Sequence, residues 1–160
     1  MRKLIFLLLA LSALAIFPLQ AQEKPAIVVH PFTTATGVSW PYDMKQMVIQ
    51  TVAELQTKDG KKFDVSAEAP AGRAHVYTLD GKVLEWNPGN RAKRMLVGFG
   101  SGRETAKIHY WLSDEAGKKL FEHEDIIRAE FWGNAYVGSV GQLAQPFADK
   151  IATRLNEAKL

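Results

Sequence analysis

The chain has 160 residues, of which 47% are hydrophobic and 23% are charged, with a formal net charge of +3 and no cysteine. This length and composition fit one globular domain and exclude a disordered, collagenous or coiled-coil chain. The lack of cysteine excludes disulfide bonds, thiol catalysis and cysteine-ligated metal sites.

The N-terminus has the pattern of a secretory signal peptide. Arg2 and Lys3 precede a long apolar run, and Ala21 offers a small residue at a cleavage site. The apolar run is shorter than the roughly 20 residues that a membrane-spanning helix needs. We therefore expect cleavage to remove residues 1–21. Residues 22–160 should then form a single domain, periplasmic or secreted, without a transmembrane helix. The alternative is an uncleaved membrane anchor.

Cleavage also changes the charge of the protein. Loss of Arg2 and Lys3 leaves 18 basic and 17 acidic side chains. Nucleic-acid binding relies on clustered positive charge, and a nearly neutral mature chain gives no argument for it. We therefore expect no nucleic-acid partner.

Three segments in the first half of the mature chain predict strands. The first is the β-branched run over 26–30, which a polar loop over 33–39 follows. The second lies within 62–68. The third covers 75–86 and contains the Asp80-Gly81 pair, which is compatible with either a hairpin turn or a bulge in one long strand. We favour one long strand.

Two segments predict amphipathic helices. In the first, apolar residues recur at helical spacing from Met44 to Leu55. Ser39 is its expected N-cap, and Asp43 would complement the positive end of the helix. The second helix closes the chain, with Pro146 either beginning its regular part or kinking it. Its apolar stripe consists of Val140, Leu143, Ala144, Phe147, Ile151 and Leu155.

A β-hairpin is predicted between these helices. Segments 104–114 and 118–130 flank a three-residue loop that ends in Gly117, the residue suited to a left-handed position. Pairing of Asp114 with Lys118 would place His109 opposite His123, Trp111 opposite Phe121, and Lys107 opposite Asp125. The other face would form the core, with Ala106, Ile108, Tyr110, Leu112 and Leu120. A shift of one residue would exchange the two faces.

These elements together predict an α+β fold. We expect a two-layer sandwich in which a mostly antiparallel four- or five-stranded sheet carries two helices on one face. The element order is β-α-β-β-β-β-α.

Residues 88–103 carry a family resemblance. They read Pro-Gly-Asn-Arg-Ala-Lys-Arg-Met-Leu-Val-Gly-Phe-Gly-Ser-Gly-Arg. This run and the strand end Val28-Val29-His30-Pro31-Phe32 resemble the bacterial domain-of-unknown-function family numbered 4410, over most of the mature chain. The resemblance implies an exported envelope α/β domain without an assigned activity. The strand end is also similar, over a short stretch, to the opening of the curli secretion-channel lipoprotein. Such families are often lipidated, and a chain without cysteine departs from that pattern.

The same segment has a structural and a functional interpretation. Gly98, Gly100 and Gly102 lead into a strand rather than a helix, which argues against a nucleotide site. We favour glycines that allow close packing, beside basic residues on a solvated turn. The alternative is a binding surface, because Arg91 and Arg94 on one helical turn could grip an anionic group.

A metal site is the basis of a second functional hypothesis. In the predicted register, His109, His123 and Asp125 share a face and could supply two imidazoles and one carboxylate. That set would suit a periplasmic metal-dependent hydrolase. A further ligand is missing from the pattern, so we favour solvated polar residues of a sheet. The chain also lacks the Gly-x-Ser-x-Gly motif of serine hydrolases.

The predicted outer sheet face suggests binding. Aromatic side chains exposed on a sheet are typical of a partner surface, although they could instead close a small second core. We predict a non-enzymatic envelope binding or assembly module, without a cofactor, whose partner is an envelope protein or an anionic envelope component. The candidate contacts are Arg91, Arg94, His109, Trp111, Phe121 and His123.

Overall fold

The computed structural model describes residues 23–90, 102–129 and 141–158. The predicted signal peptide lies outside these residues. The elements are β1 (Ala26–Val29), β2 (Thr33–Thr34), α1 (Met44–Asp59), β3 (Asp64–Ser66), β4 (Val76–Asn87), β5 (Thr105–Ser113), β6 (Lys119–Arg128) and α2 (Gly141–Ala158).

The strands form one mixed sheet. Its order is β3-β1-β4-β5-β6, and the short β2 also pairs with β4. The predicted α+β class with two helices is confirmed, whereas the sheet differs from its prediction in detail: it is mixed, and it has six strands rather than four or five because the short β2 precedes α1. β1 runs parallel to both β3 and β4, and only the β4-β5-β6 part is antiparallel. The cause is the β1-α1-β3 connection, because a helical crossover returns the chain in the same direction.

In the described residues both helices pack on one side of the sheet, which we call the inner face. The core joins Met47 and Leu55 of α1 and Phe147 of α2 to inner-face strand residues such as Ile27 and Leu79. The predicted core of β5 is confirmed, with no exposed surface on Ala106, Ile108, Tyr110 and Leu112. The opposite side of the sheet is called the outer face.

The long third strand is confirmed as β4. Gly81 lies within it rather than in a turn, and its lack of a side chain makes room for Phe32. A Cβ atom at Gly81 would lie 2.8 Å from the Phe32 ring. That ring meets Phe147 of α2 edge to face, with centroids 5.3 Å apart. A bulge interrupts the pairing with β5 between Val83 and Glu85.

The start of α1 differs from its prediction. Asp43 is the N-cap, and its side chain accepts a hydrogen bond of 2.7 Å from the backbone N–H of Lys45. Ser39 is not the cap, because the helix begins only at Met44, directly after Asp43. Pro146 lies inside α2. Neither helix in the described part of the chain is long and apolar enough to cross a membrane.

The β5–β6 hairpin departs from the predicted register because of a bulge. Ser113 pairs with Lys119 as predicted, but Leu112 pairs with Phe121, so Leu120 is an extra residue on β6. Beyond this point the pairing is displaced by one residue, and Tyr110 lies opposite His123.

The predicted pairs His109–His123, Trp111–Phe121 and Lys107–Asp125 are therefore wrong. The observed partners of these β5 residues are Glu124 for His109, Glu122 for Trp111 and Ile126 for Lys107. One extra residue in a strand moves each later side chain to the other face.

Candidate binding surface

The bulge divides the predicted contact residues between two faces. His109 and Trp111 share the outer face of β5, with ring centroids 5.2 Å apart. Phe121 and His123 lie instead on the inner face at the edge of the sheet. Their rings are each centred 6.2 Å from the ring of the buried Tyr110. The predicted aromatic face is thus not assembled as a single surface.

The predicted basic turn falls outside the described residues, since these exclude Arg91 and Arg94. The chain on either side of it is described. Asn90 donates a backbone hydrogen bond of 2.9 Å to the Gly102 carbonyl. Gly89 has φ +74°, and a Cβ atom there would lie 2.3 Å from the same carbonyl. Glycine is therefore required where these two stretches of chain meet.

The proposed metal ligands do not converge. His109 and His123 lie on opposite faces of the sheet. Asp125 accepts a hydrogen bond of 2.8 Å from the Tyr110 hydroxyl and lies 3.7 Å from an Arg154 nitrogen. In the parts of the chain that the structure describes, no group of three His, Asp or Glu side chains could hold a metal ion. The geometry gives no support to the hydrolase hypothesis.

Four side chains form the outer-face cluster: His109, Trp111, Lys119 and Glu122. One Glu122 carboxylate oxygen accepts hydrogen bonds from His109 Nε2 at 2.8 Å and from Lys119 Nζ at 2.6 Å. The Lys119 ammonium also lies 5.0 Å from the centre of the Trp111 ring, within the range of a cation–π contact. The hydrogen bond from Lys119 is the largest cause that lowers the pKa of Glu122, and the one from His109 adds to it.

Further charge pairs surround the cluster on the outer face. Lys107 Nζ lies 2.7 Å from Glu124 and 3.7 Å from Glu85, and the hydrogen bond to Glu124 is the main cause of its raised pKa. His30 and Asp80 form another pair at 2.8 Å. The outer face thus presents the Trp111 indole ring among positively and negatively charged side chains that form hydrogen bonds. This combination can bind a flat polar partner through stacking and hydrogen bonds.

The fold also contains a buried carboxylate that was not among the predicted site residues. Glu104 is 4% exposed, and its Oε1 accepts hydrogen bonds from the Tyr42 hydroxyl at 2.5 Å and from Trp86 Nε1 at 2.7 Å. Burial raises the pKa of Tyr42, and the bond to Glu104 raises it further. These bonds join the segment before α1 to β4 and to the residue that precedes β5. Every second residue of β5 faces the core, including Ala106 and Ile108. Glu104 continues this series by one step, so the alternation could have indicated that it is buried.

Sequence comparison assigns the chain to a family. The model of the family described as "Domain of unknown function (DUF4410)" matches residues 41–125, more than half of the chain. The protein belongs to the DUF4410 family. The resemblance seen in the sequence is therefore confirmed. No match to the chain was found among curated proteins.

Solved structures show the same fold at low sequence identity. PelC from Paraburkholderia phytofirmans, solved as a dodecamer, has a TM-score of 0.53 and 14% identity, covering 80% of this chain and 86% of PelC. The hypothetical protein CT253 from Chlamydia trachomatis has a TM-score of 0.54 and 12% identity, covering 85% and 98%. Protein XCC0632 from Xanthomonas campestris, of the DUF330 family, has a TM-score of 0.51 and 10% identity, covering 89% and 90%.

Proposed function

We propose that this protein is an exported, non-enzymatic module that holds another component of the cell envelope against the outer face of its sheet. The observation that carries the proposal is the outer-face cluster around Trp111. In the described residues both helices pack on the inner face, and the cluster stands on the opposite side of three paired strands. Lys119 and His109 contact the Trp111 ring, so the ring can bind a partner with little further loss of conformational freedom.

The electrostatics of the outer face favour binding over catalysis. The pKa of Glu122 is lowered and that of Lys107 is raised, so both groups are charged at neutral pH. A general acid or base works best with a pKa near the operating pH, and these shifts move away from it. Paired, permanently charged groups suit recognition of a polar partner.

The fold neighbours are compatible with an assembly role. PelC was solved as a dodecamer, which is a property of that protein. A similar fold in this chain supports the proposal that its function is contact with other subunits or envelope components. The N-terminal pattern supports export, and we propose that the mature chain acts in the periplasm or outside the cell.

The basic pair Arg91 and Arg94 is proposed as a second contact, for an anionic envelope component such as a lipid head group. Co-sedimentation with phosphatidylglycerol vesicles tests it. We expect binding that decreases in Arg91→Ala/Arg94→Ala and is retained in Trp111→Ala. Equal binding by all three proteins would contradict this contact.

Site-specific photo-crosslinking in the producing cell tests the outer face. A photo-reactive amino acid replaces Glu85, which is 74% exposed beside Lys107, and a matched control replaces Ile49 on α1, which is 45% exposed. We expect a discrete adduct in the envelope fraction from position 85 only, and its loss when Trp111→Ala is added. Identical adducts from both positions, or an adduct indifferent to Trp111, would contradict the proposal.

Export is checked on the same protein. Intact mass measurement of the envelope and periplasmic fractions should give a chain that begins at Gln22. A chain that retains residues 1–21 in the membrane would contradict the export part of the proposal without affecting the crosslinking result.

A further inference from the structure

β6 is an open edge of the sheet. The strand order ends with β6, and in the described residues no strand pairs with its far side. It is ten residues long, whereas β3 at the opposite edge has three. A long edge strand presents unpaired backbone N–H and C=O groups to which another strand can add.

The alternation of backbone hydrogen bonds along β6 determines which of its residues direct their N–H and C=O groups away from β5. Ala129 donates its backbone N–H to the Glu104 carbonyl at 2.9 Å. In an antiparallel pair the direction of backbone groups alternates, so odd-numbered residues of β6 bond to β5. The even-numbered residues therefore direct their backbone groups to the open edge; they are Glu122, Glu124, Ile126 and Arg128. Their side chains stand on the outer face, since Glu122 lies opposite Trp111.

Ile126 is the apolar residue among these four residues of β6. It is 57% exposed, and it and Ile49 are the exposed large hydrophobic residues of the described chain. Its neighbours on the same face are Glu124 and Arg128, which are both exposed. The available edge is therefore an apolar centre with a negative charge on one side and a positive charge on the other.

We propose that β6 pairs antiparallel with β6 of a second copy of this chain, around a two-fold axis at Ile126. In this register Ile126 faces Ile126 of the second copy, and each Glu124, which also holds the ion pair with Lys107, faces an Arg128. Opposite charges and apolar residues in directly opposed positions are the stabilising cross-strand pairs. The two-fold arrangement uses the same patch on both copies, as a closed dimer requires.

Other registers that also pair the even-numbered residues of the two copies are less favourable. An axis at Glu124 would set two carboxylates face to face, which is destabilising. A register with Glu122 facing Arg128 would set Glu124 against Ile126 and leave the apolar centre unmatched. Charge and apolar complementarity both select the axis at Ile126.

The pairing would join two sheets into one and keep α1 and α2 of both copies on the same side. The outer faces of both copies would form one surface that carries two outer-face clusters. The inference concerns the contact between copies and does not depend on the identity of any other envelope component. Experiments on the purified mature chain therefore test it separately from the proposed function.

Cysteine crosslinking tests the axis directly, because the chain has no cysteine of its own. Opposed residues of a hydrogen-bonded antiparallel pair have Cα atoms about 5.5 Å apart, within the range that a disulfide bridges. We expect Ile126→Cys to form a covalent dimer in oxidised glutathione and the matched Ile49→Cys variant to remain monomeric. Absence of dimer from Ile126→Cys, or equal dimer from both variants, would overturn the proposal.

Charge reversal tests the register. Sedimentation equilibrium should give a dimer dissociation constant that rises about tenfold in Arg128→Glu, since two cross-strand pairs become repulsive. The double variant Glu124→Arg/Arg128→Glu should recover dimerisation, because opposite charges face each other again. A double variant as weak as Arg128→Glu, or a single variant without effect, would overturn the register.

Discussion

The two faces of β5 differ in what their side chains contact. Ala106, Ile108, Tyr110 and Leu112 have no exposed surface and pack beneath the helices. The alternating outer-face residues from Thr105 to Trp111 are partly exposed, and His109 and Trp111 among them lie among paired charges. One strand thus supplies the centre of the core with one set of residues and the proposed binding surface with the other. Substitutions on the inner face should change stability, and those on the outer face should change binding.

The largest difference is expected between neighbouring residues, Tyr110 and Trp111. Tyr110→Ala should lower the free energy of unfolding by about 4 kcal/mol, because it empties a buried site and removes the bond to Asp125. Trp111→Ala should cost about 1 kcal/mol or less. Urea denaturation of both variants measures the difference. Equal losses would contradict the division between the faces.

The buried carboxylate extends the comparison to charged residues. Glu104→Ala should cost about 2–3 kcal/mol, because it leaves the Tyr42 hydroxyl and the Trp86 indole N–H without their acceptor. Glu85→Ala on the outer face should change stability by less than about 0.5 kcal/mol. Denaturant titration of this pair provides the check, and a Glu104 variant as stable as the Glu85 variant would show that the bonds contribute little.

Gly81 tests how tightly the inner face is packed. Gly81→Ala should cost about 1–3 kcal/mol, because the new methyl group would overlap the Phe32 ring. Phe32→Leu should relieve the overlap, so the double variant should lose less than the sum of the single losses. Additive losses in thermal unfolding would indicate that the two residues do not compete for the same space.

Substitution of Asp59 should give the smallest change in stability, and unlike the substitutions above it should stabilise the protein. Asp59 is 6% exposed, its Oδ2 has no hydrogen-bond partner among the residues that the structure describes, and burial is the main cause that raises its pKa. The favourable contribution of the protonated group is complete below the pKa of the unfolded chain and is lost as pH rises through the raised pKa. Asp59→Asn should therefore raise Tm by about 2–4 °C at pH 7 and leave it unchanged near pH 3. A lower Tm at pH 7 would contradict this interpretation.

The alternation within β5 was sufficient to predict the core of the sheet, because one strand with one buried face has a period of two. The register of β6 could not be predicted in this way. The bulge adds Leu120 to one strand only, and nothing in the residues around Gly117 distinguishes the bulged hairpin from a regular one. A regular register consequently predicts Phe121 and His123 beside Trp111, whereas the bulge brings Glu122 and Lys119 there instead.

Long-range pairing limited the rest of the fold prediction. The parallel neighbours of β1 come from segments far away in sequence, and a short apolar strand carries no signal for its direction. Likewise, Gly81 is compatible with a turn or a strand until Phe32 is known to lie over it. Local patterns identified the elements, while contacts between distant residues determined how they pair.

The central claim is that the outer face serves binding while the inner face serves stability. The most direct test measures both properties on Trp111→Ala, as Tm of the purified protein and as the yield of the envelope adduct from position 85. We predict a Tm within about 3 °C of the unmodified protein and loss of the adduct. A Tm that falls as far as that of Tyr110→Ala, or an adduct that persists, would contradict the account.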